Sequence, residues 1–337
     1  MRGRAIFGCA GTLLGADERA FFREVQPWGF ILFARNVHDR EQIRSLVASL
    51  RDTVGDSRAP ILIDQEGGRV SRLKPPGWKE RPPAARFGAV YASQHEAGAE
   101  ACYLNARLIA YDLVEVGINV DCVPVLDLPV EGADAVIGDR AFSADPVAII
   151  DLAKAQIEGL LDGGVLPVMK HIPGHGRATA DSHLALPRVE TAADEMSATD
   201  FVTFRSLDTC PMAMTAHVVY EAIDPQRPAT LSPKVIRDVI RGEMGFDGVL
   251  ISDDLSMNAL DGPLSVRTKA ALFAGCDIVL HCNGKMDEMK EVASEVKPLE
   301  GQALRHADHA LVHLVEPDAF DPAAAEARLA ELLSLSA

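Results

Sequence analysis

The feature that most constrains the fold of this chain is a regular alternation of short apolar runs with longer helical patterns. Each run is apolar almost throughout, which is typical of parallel strands that are buried on both faces. Parallel strands need crossover connections, and the helical stretches supply them. The predicted strands cover residues 5–10, 28–34, 60–64, 117–123, 166–170, 211–217, 247–252 and 277–282.

The helical patterns have recognisable beginnings. Asp145-Pro146 and Ser232-Pro233 are favourable starts, because a capping side chain precedes a proline that fits the first turn. Strands with intervening helices predict an α/β fold, a single (β/α)8 TIM barrel. A doubly wound sheet is the alternative, although no Gly-rich phosphate-binding motif follows any strand. The predicted helices cover residues 40–53, 95–116, 146–163, 191–207, 232–243 and 265–275.

One domain over residues 1–337 is expected, because neither an internal repeat nor a low-complexity linker divides the chain. The Pro- and Gly-rich segment 73–89 is predicted to be a long loop after the third strand. Residues 303–335 have helical patterns, which predict extra C-terminal helices packed on the outside of the barrel.

The composition argues against several classes of partner. Because 33 Lys and Arg stand against 49 Asp and Glu, the formal net charge is −16, and the surface repels nucleic acid and anionic membranes. Gly8 and Gly11 interrupt the apolar stretch that a signal peptide requires. Six cysteines without a CxxC pair are typical of reduced thiols. We therefore expect a cytoplasmic protein that is a monomer or a weak dimer.

Ionisable residues follow five of the eight predicted strands. The carboxyl ends of barrel strands share one mouth, so these residues are expected to meet there. Unpaired buried charges are costly, and such a concentration therefore indicates a functional site. The residues are Asp64 and Glu66 after strand three, Lys170, His171 and His175 after strand five, His217 after strand six, Asp253 and Asp254 after strand seven, and His281 after strand eight.

The same set of residues suggests a reaction. A carboxylate at a barrel mouth with a second acid/base group nearby is the minimum apparatus for glycoside hydrolysis, and a histidine can be that second group. Lysine and arginine side chains suit sugar hydroxyls as fixed donors. Taken singly, Asp64 could cap a turn, Asp253 and Asp254 could begin a helix, and His175 and His217 could be packing residues.

Three motifs resemble those of glycoside hydrolase family 3, and they occur in the expected order. Lys170–His183 (KHIPGHGRATADSH) is similar to the KHFPGHG…DSH signature, in the form found in bacterial β-N-acetylglucosaminidases of peptidoglycan recycling. Asp64–Leu73 (DQEGGRVSRL) and Ser252–Met257 (SDDLSM) resemble two further signatures. The resemblance covers residues 5–315. It implies a retaining, exo-acting enzyme that removes terminal N-acetylglucosamine from muropeptides. The expected partner is a small carbohydrate substrate, either a muropeptide or an N-acetylglucosamine disaccharide.

The resemblance also implies a role for each site residue. Asp253 would be the nucleophile, His183 the acid/base, and Asp181 the carboxylate that supports the imidazolium. Many family members carry a second domain that supplies the acid/base, whereas here the Asp181-Ser182-His183 triplet of the barrel is expected to do so. No cofactor and no metal are expected. The residues implied to hold the sugar are Asp64, Arg72, Arg140, Lys170 and His171.

Two positions depart from the family pattern. Ile172 stands where phenylalanine is common, and Arg177 where aspartate is common. Ile172 preserves apolar packing. Arg177 changes the charge of the catalytic loop, so it could alter loop docking or favour an anionic muramyl or peptide group. In the otherwise acidic surface, Arg72, Arg140 and Lys170 are expected to form a local positive patch.

Other functions stay open from the residues. Within the family, the chain could be another β-glycosidase or a β-N-acetylglucosaminide phosphorylase, since a histidine acid/base does not repel phosphate. Lys170 could form a Schiff base in a barrel aldolase. A metal-dependent hydrolase could use His171, His175, His183 and Asp64, although the first two span a Pro-Gly turn. The non-enzyme alternative is a catalytically silent sugar-binding barrel.

Overall fold

The computed structural model describes residues 2–178, 182 and 185–336. Within these residues, two strands, β7 (Arg188–Val189) and β9 (Val219–Tyr220), pair in a small parallel sheet, and nine others form one large parallel sheet. The nine are β1 (Gly3–Gly8), β2 (Pro27–Leu32), β3 (Ile61–Ile63), β4 (Val120–Asp121), β5 (Leu166–Pro167), β6 (Met169–Ile172), β8 (Met212–Thr215), β10 (Val249–Asp254) and β11 (Ile278–His281).

The large sheet closes on itself. Its order is β5-β4-β3-β2-β1-β11-β10-β8-β6, and only Val168 separates β5 from β6 along the chain, so the two edges of the sheet meet. Backbone hydrogen bonds complete the seam, from Leu126 N to Lys170 O at 2.8 Å and from Lys170 N to Pro124 O at 2.9 Å. The two short segments therefore act as one strand of an eight-stranded barrel, which confirms the predicted (β/α)8 fold class.

Helices surround the barrel, and every predicted helical segment is helical over most of its length. Residues 235–243 are wound as a π-helix between β9 and β10. The α-helices are α1 (Ala16–Val25), α2 (Arg40–Val54), α3 (Ala84–Ser93), α4 (His95–Glu115), α5 (Pro146–Asp162), α6 (Ala193–Ala198), α7 (Asp200–Arg205), α8 (Leu264–Ala274), α9 (Met286–Ala293), α10 (Gly301–Val312) and α11 (Pro322–Leu333).

Two expectations about these elements are wrong in detail, and two helices were not expected. The predicted loop 73–89 already enters α3 after Pro83, because the sequence from there is rich in alanine and apolar residues. Gly88 fits within that helix, since a Cβ there would lie 1.7 Å from the Phe142 carbonyl oxygen. The predicted helix 191–207 is divided at Thr199 into α6 and α7. Helices α1 and α9 were not predicted.

The C-terminal helices have two different positions. Helix α11 packs on α4, outside the barrel, as predicted. Helix α10 instead contributes Ala303, Ala307 and Ala310 to the apolar cluster that fills the barrel interior. The segment before it lies beside the start of β1, where Leu299 N donates to Arg2 O at 2.6 Å. Helix α10 therefore closes the amino-terminal end of the barrel and leaves the carboxyl end open. None of the helices in the described residues is both long and apolar enough to cross a membrane.

Candidate active site

A cavity of about 310 Å³ opens at the carboxyl ends of the barrel strands. All five residues predicted to hold a sugar line it, together with Asp253 and Asp254. Asp181 and His183, the predicted acid/base pair, lie outside the described residues. The side chains at the cavity that carry charge or can exchange protons are Asp64, Glu66, Arg69, Arg72, Arg140, Lys170, His171, His175, Asp253 and Asp254.

Alternating charges form one side of this cavity. Lys170 Nζ donates to Asp64 Oδ1 at 2.8 Å and lies 2.7 Å from Glu66 Oε1. Arg140 makes two hydrogen bonds of 2.8 Å to Glu66, and Arg72 donates to Asp64 Oδ2 at 3.1 Å. The three cations of the expected positive patch are thus each paired, but they share only two carboxylates, so the group keeps one positive charge in excess.

This pairing fixes the charge state of the network. Burial opposes ionisation of Asp64, but Lys170 and Arg72 outweigh it and hold the pKa of Asp64 well below its ordinary value. For Glu66, burial is likewise outweighed by Lys170 and Arg140, which lower its pKa. The pKa of Lys170 is raised by the two carboxylates against the effect of its own burial. All the members are charged at neutral pH, and together they present fixed donors and acceptors to a polyol.

Gln65 folds the loop that carries these residues. Its Oε1 accepts from the backbone N–H groups of Arg72 and Leu73 at 2.9 and 3.0 Å, so the two ends of the loop are held together. Its own backbone N–H donates to Asp121 Oδ1 at 2.9 Å. Gly67 has φ +100°, and a Cβ there would lie 2.2 Å from the Pro82 carbonyl oxygen, so the turn requires glycine. The DQEGGR sequence thus brings Arg72 back to Asp64.

Asp127 is a site residue that the sequence reasoning missed. Its Oδ2 lies 2.7 Å from His171 Nδ1, and its Oδ1 accepts from the backbone N–H groups of His171 and His175 at 3.2 and 2.7 Å. His171 outweighs the burial of Asp127 and lowers its pKa to about 2, so the carboxylate stays ionised. Because Nδ1 of His171 is engaged, Nε2 is the ring nitrogen that can meet a ligand. The sequence signal that could have identified Asp127 is its position just beyond the fourth predicted strand.

His175 contacts the middle residue of the predicted catalytic triplet. Its Nε2 lies 3.2 Å from Ser182 Oγ, and both residues are buried and line the cavity. Burial, with nearby His171, lowers the pKa of His175 to about 4, so its ring is neutral at pH 7. His175 Nδ1 has no hydrogen-bond partner among the residues that the structure describes.

Arg177 follows β6 and is turned towards the helix layer. Its Nε donates to Asp200 Oδ2 at 2.7 Å, and its two terminal nitrogens donate to Glu195 at 2.9 Å and Thr199 at 3.0 Å. These partners lie on or between α6 and α7. The guanidinium is thus used in docking the chain after β6, and it does not line the cavity.

Two predicted mouth residues are turned away from the cavity. His281 is fully buried beside Phe7, with their ring centroids 6.1 Å apart, and its Nε2 lies 3.3 Å from Glu288. Side chains alternate along a strand, and because Leu280 points into the barrel, His281 points at the helix layer. His217 is also fully buried and lies behind β10 rather than in the cavity. The prediction that His281 lies at the mouth is wrong, whereas the position of His217 agrees with the packing role that the sequence also allowed.

The aspartates of β10 differ in their surroundings. Asp254 accepts from Ser256 N at 3.0 Å, Ser256 Oγ at 2.7 Å and Cys282 N at 3.2 Å, so both of its carboxylate oxygens are used within the loop. Asp253 Oδ1 accepts from Asp254 N at 2.8 Å. Within the described residues, His, Cys, Asp and Glu side chains form no group of three that could hold a metal ion.

Comparisons with known proteins agree with this geometry. Residues 15–316 match the family described as Glycosyl hydrolase family 3 N terminal domain. The chain is 42% identical over 287 residues to a protein named Beta-hexosaminidase from Alkalilimnicola ehrlichii, covering 83% of this chain and 81% of that protein. It is 40% identical over 294 residues to one of the same name from Tolumonas auensis, covering 84% of each.

Solved structures share the fold over the whole chain. NagZ from Neisseria gonorrhoeae, in complex with N-trifluoroacetyl-D-glucosamine, superposes with a TM-score of 0.86 at 32% identity, covering 100% of this chain and 98% of that one. A glycoside hydrolase family 3 β-N-acetylglucosaminidase from a Paenibacillus species superposes with a TM-score of 0.87 at 27% identity, covering 99% of this chain and 67% of that one.

Proposed function

The chain belongs to glycoside hydrolase family 3, and on that premise we propose that it is a retaining, exo-acting β-N-acetylglucosaminidase. The observation that carries the proposal is the shared cavity, in which Asp253 lies with the ion network of Asp64, Lys170, Glu66 and Arg140. Similar proteins named Beta-hexosaminidase, and a similar structure that binds an N-acylated glucosamine, support the choice of sugar.

The reaction has two steps. First, a carboxylate oxygen of Asp253 bonds to the anomeric carbon as the glycosidic bond breaks, and His183 gives its proton to the leaving oxygen. Then neutral His183 takes a proton from water, whose oxygen bonds to the anomeric carbon and frees the Asp253 carboxylate. Two inversions give net retention. Asp181 orients the imidazole and stabilises its charged form.

Asp253 is preferred to Asp254 as the nucleophile on chemical grounds. The hydrogen bonds from Ser256 and Cys282 engage both oxygens of the Asp254 carboxylate. They also anchor it to the loop, so it cannot approach an anomeric carbon without breaking them. The family motif points to the same residue.

The ion network would hold the sugar. Asp64 and Glu66 carry oxygens that accept from sugar hydroxyls, and Lys170, Arg72 and Arg140 carry N–H groups that donate to them. His171 would add its Nε2, which the Asp127 contact leaves facing a ligand. Because these charges are paired before a ligand arrives, little rearrangement is needed on binding.

Muropeptides are the proposed natural substrates, within cytoplasmic peptidoglycan recycling and cell-wall turnover. Arg69 lies at the cavity with its side chain 49% exposed, and it pairs with Asp139 at 3.0 Å, so it would have to exchange this partner for a carboxylate of a muramyl peptide. All six cysteines are buried free thiols, which suits a reducing compartment.

The direct test compares a chromogenic β-N-acetylglucosaminide with the corresponding β-glucoside. The wild type should hydrolyse the first and scarcely the second. Asp253→Ala should abolish hydrolysis, and His183→Ala should slow it by about 100-fold or more, the size of a general acid–base contribution. Asp238→Ala is the control, since Asp238 is a half-exposed aspartate paired with Arg237, remote from the cavity, and it should keep the wild-type rate.

Each other result would replace the proposal with a specific alternative. Equal rates on both sugars would indicate a broader family 3 β-glycosidase. Sugar 1-phosphate, formed when phosphate is added, would indicate a phosphorylase. Binding of N-acetylglucosamine without any hydrolysis would indicate a silent sugar-binding barrel.

A further inference from the structure

A buried chain of hydrogen bonds joins the two ends of the Asp253–Asp254 segment. The Asp253 backbone N–H donates to Thr215 Oγ1 at 3.3 Å, and Thr215 Oγ1 lies 2.8 Å from Thr230 Oγ1. His217 Nδ1 lies 2.7 Å from the same Thr230 oxygen, and its Nε2 lies 3.0 Å from the Asp254 carbonyl oxygen. The side chains of Thr215, His217 and Thr230 are fully buried.

The proton positions in this chain follow from the chemistry of its ends. The Asp254 carbonyl oxygen can only accept, so His217 carries a proton on Nε2. Burial lowers the pKa of His217, so the ring is neutral and Nδ1 accepts. Thr230 therefore donates to Nδ1, not to the Ala216 carbonyl oxygen 3.1 Å away. Thr215 then donates to Thr230, and Thr215 Oγ1 accepts from the backbone N–H of Asp253, where the circuit begins.

The circuit connects three separate segments. Thr215 ends β8, Thr230 lies in the 3-10 turn Ala229–Leu231, and Asp253 lies near the end of β10. Among the described residues that line the cavity, none is Thr215, Thr230 or His217. The hydrogen bonds of these three side chains therefore reach the Asp253–Asp254 segment at its backbone and not from within the cavity.

We propose that Thr215, Thr230 and His217 are positioning residues, which hold the backbone of the nucleophile through a one-directional relay of hydrogen bonds. This inference rests on the proposed function, because it takes Asp253 as the nucleophile. The relay fixes a residue that bonds to the sugar only during the reaction. Loss of the relay therefore slows the chemical step and leaves sugar binding nearly intact.

Thr230→Val and Thr230→Ser test the relay at its central member. Valine keeps the shape of threonine but cannot accept from Thr215 or donate to His217, whereas serine keeps the hydroxyl. We expect Thr230→Val to lower kcat on the chromogenic β-N-acetylglucosaminide about 10-fold and to change KM by less than about 2-fold, because the two buried hydrogen bonds that it removes act on the nucleophile and not on the bound sugar. Thr230→Ser should restore most of kcat.

A matched control separates positioning from folding. Thr268 is also fully buried, and its hydroxyl donates to the Leu264 carbonyl oxygen at 2.7 Å within α8, outside both the relay and the cavity lining. Thr268→Val should keep the wild-type kcat, with thermal unfolding confirming that both valine variants are folded. If Thr230→Val keeps the kcat of Thr268→Val, or if serine fails to rescue it, the inference is wrong.

A double substitution guards against a folding defect at one site. Because Thr215 and Thr230 act in series, Thr215→Val should lower kcat about as much as Thr230→Val, and the double variant should lose little more. Losses that multiply would overturn the relay. Absence of hydrolysis by the wild type and by Thr268→Val would overturn the proposed function instead, so the two failures are distinguishable.

Discussion

Lys170 Nζ lies 2.8 Å from Asp64 Oδ1 and 2.7 Å from Glu66 Oε1, so one ammonium joins the two carboxylates that follow β3. Only 2% of the Lys170 side chain is exposed, and its charge is balanced by protein groups instead of water. Such a network is preorganised for a polar ligand, because its charged groups already hold their positions before the ligand binds. Removal of one charged member therefore leaves the charge of another without full compensation, and the folded protein should become less stable.

Lys170→Met should therefore be strongly destabilising, because it leaves two buried carboxylates without their shared partner. We expect the free energy of unfolding to fall by about 3–5 kcal/mol, measured by urea titration. The matched control is Lys285→Met, since Lys285 pairs with Glu288 at 2.9 Å with its side chain 69% exposed. That substitution should cost less than about 1 kcal/mol. Equal losses would contradict the dependence on burial.

Asp127 gives a second test through pH. Its pKa in the folded protein is lowered to about 2, below the ordinary value of an unfolded chain, so the unfolded state binds more protons between these values. Its ionised form therefore contributes stability above about pH 4, and that contribution is lost as the pH falls towards 2. The free energy of unfolding should fall by about 2 kcal/mol less in Asp127→Asn than in the wild type as the pH is lowered from 4.5 to 2.5, measured by urea unfolding. If Asp127→Asn has the same pH dependence as the wild type, ionised Asp127 does not make this contribution to stability.

Asp121 should behave in the opposite way. It is fully buried, one oxygen accepts from Gln65 N, and Oδ2 has no partner among the described residues. Burial raises its pKa to about 7, so the folded state binds the extra proton between about pH 4 and 7, and stability falls as the pH rises through this range. Asp121→Asn keeps an acceptor for Gln65 and should flatten that fall. A fall as steep as in the wild type would exclude Asp121 as its source.

The barrel was predictable because strands buried on both faces are almost continuously apolar, as at Ile61–Ile63 and Ile278–His281. The residues at the cavity followed from the rule that strand ends share one mouth. Asp127 escaped because the chain continues four residues beyond the predicted end of the fourth strand before it turns into the site. His281 was misplaced because the strand-end rule ignores side-chain alternation.

The charges at the mouth show a different limit of the sequence. Arg72, Arg140 and Lys170 are visible as cations, but their partners Asp64 and Glu66 are fixed by the turn at Gly67, which only the folded loop reveals. The relay behind β10 is equally hidden, since Thr230 lies in a connecting turn. Ion pairs and hydrogen bonds between segments that are far apart in the sequence depend on their distances in space, and a pattern of residues does not contain those distances.

Arg177 supplies a prediction about substrate charge. Its guanidinium is engaged by Asp200 and Glu195, so we expect it to dock the chain after β6 rather than to recognise an anionic group. Arg177→Ala leaves the buried Asp200 without its cation and should loosen that docking. It should lower kcat/KM on a muropeptide and on a neutral chromogenic β-N-acetylglucosaminide by the same factor. Arg188→Ala removes a half-exposed arginine paired with Glu221 and should leave both rates unchanged. A selective loss on the muropeptide would show that Arg177 recognises negative charge after all.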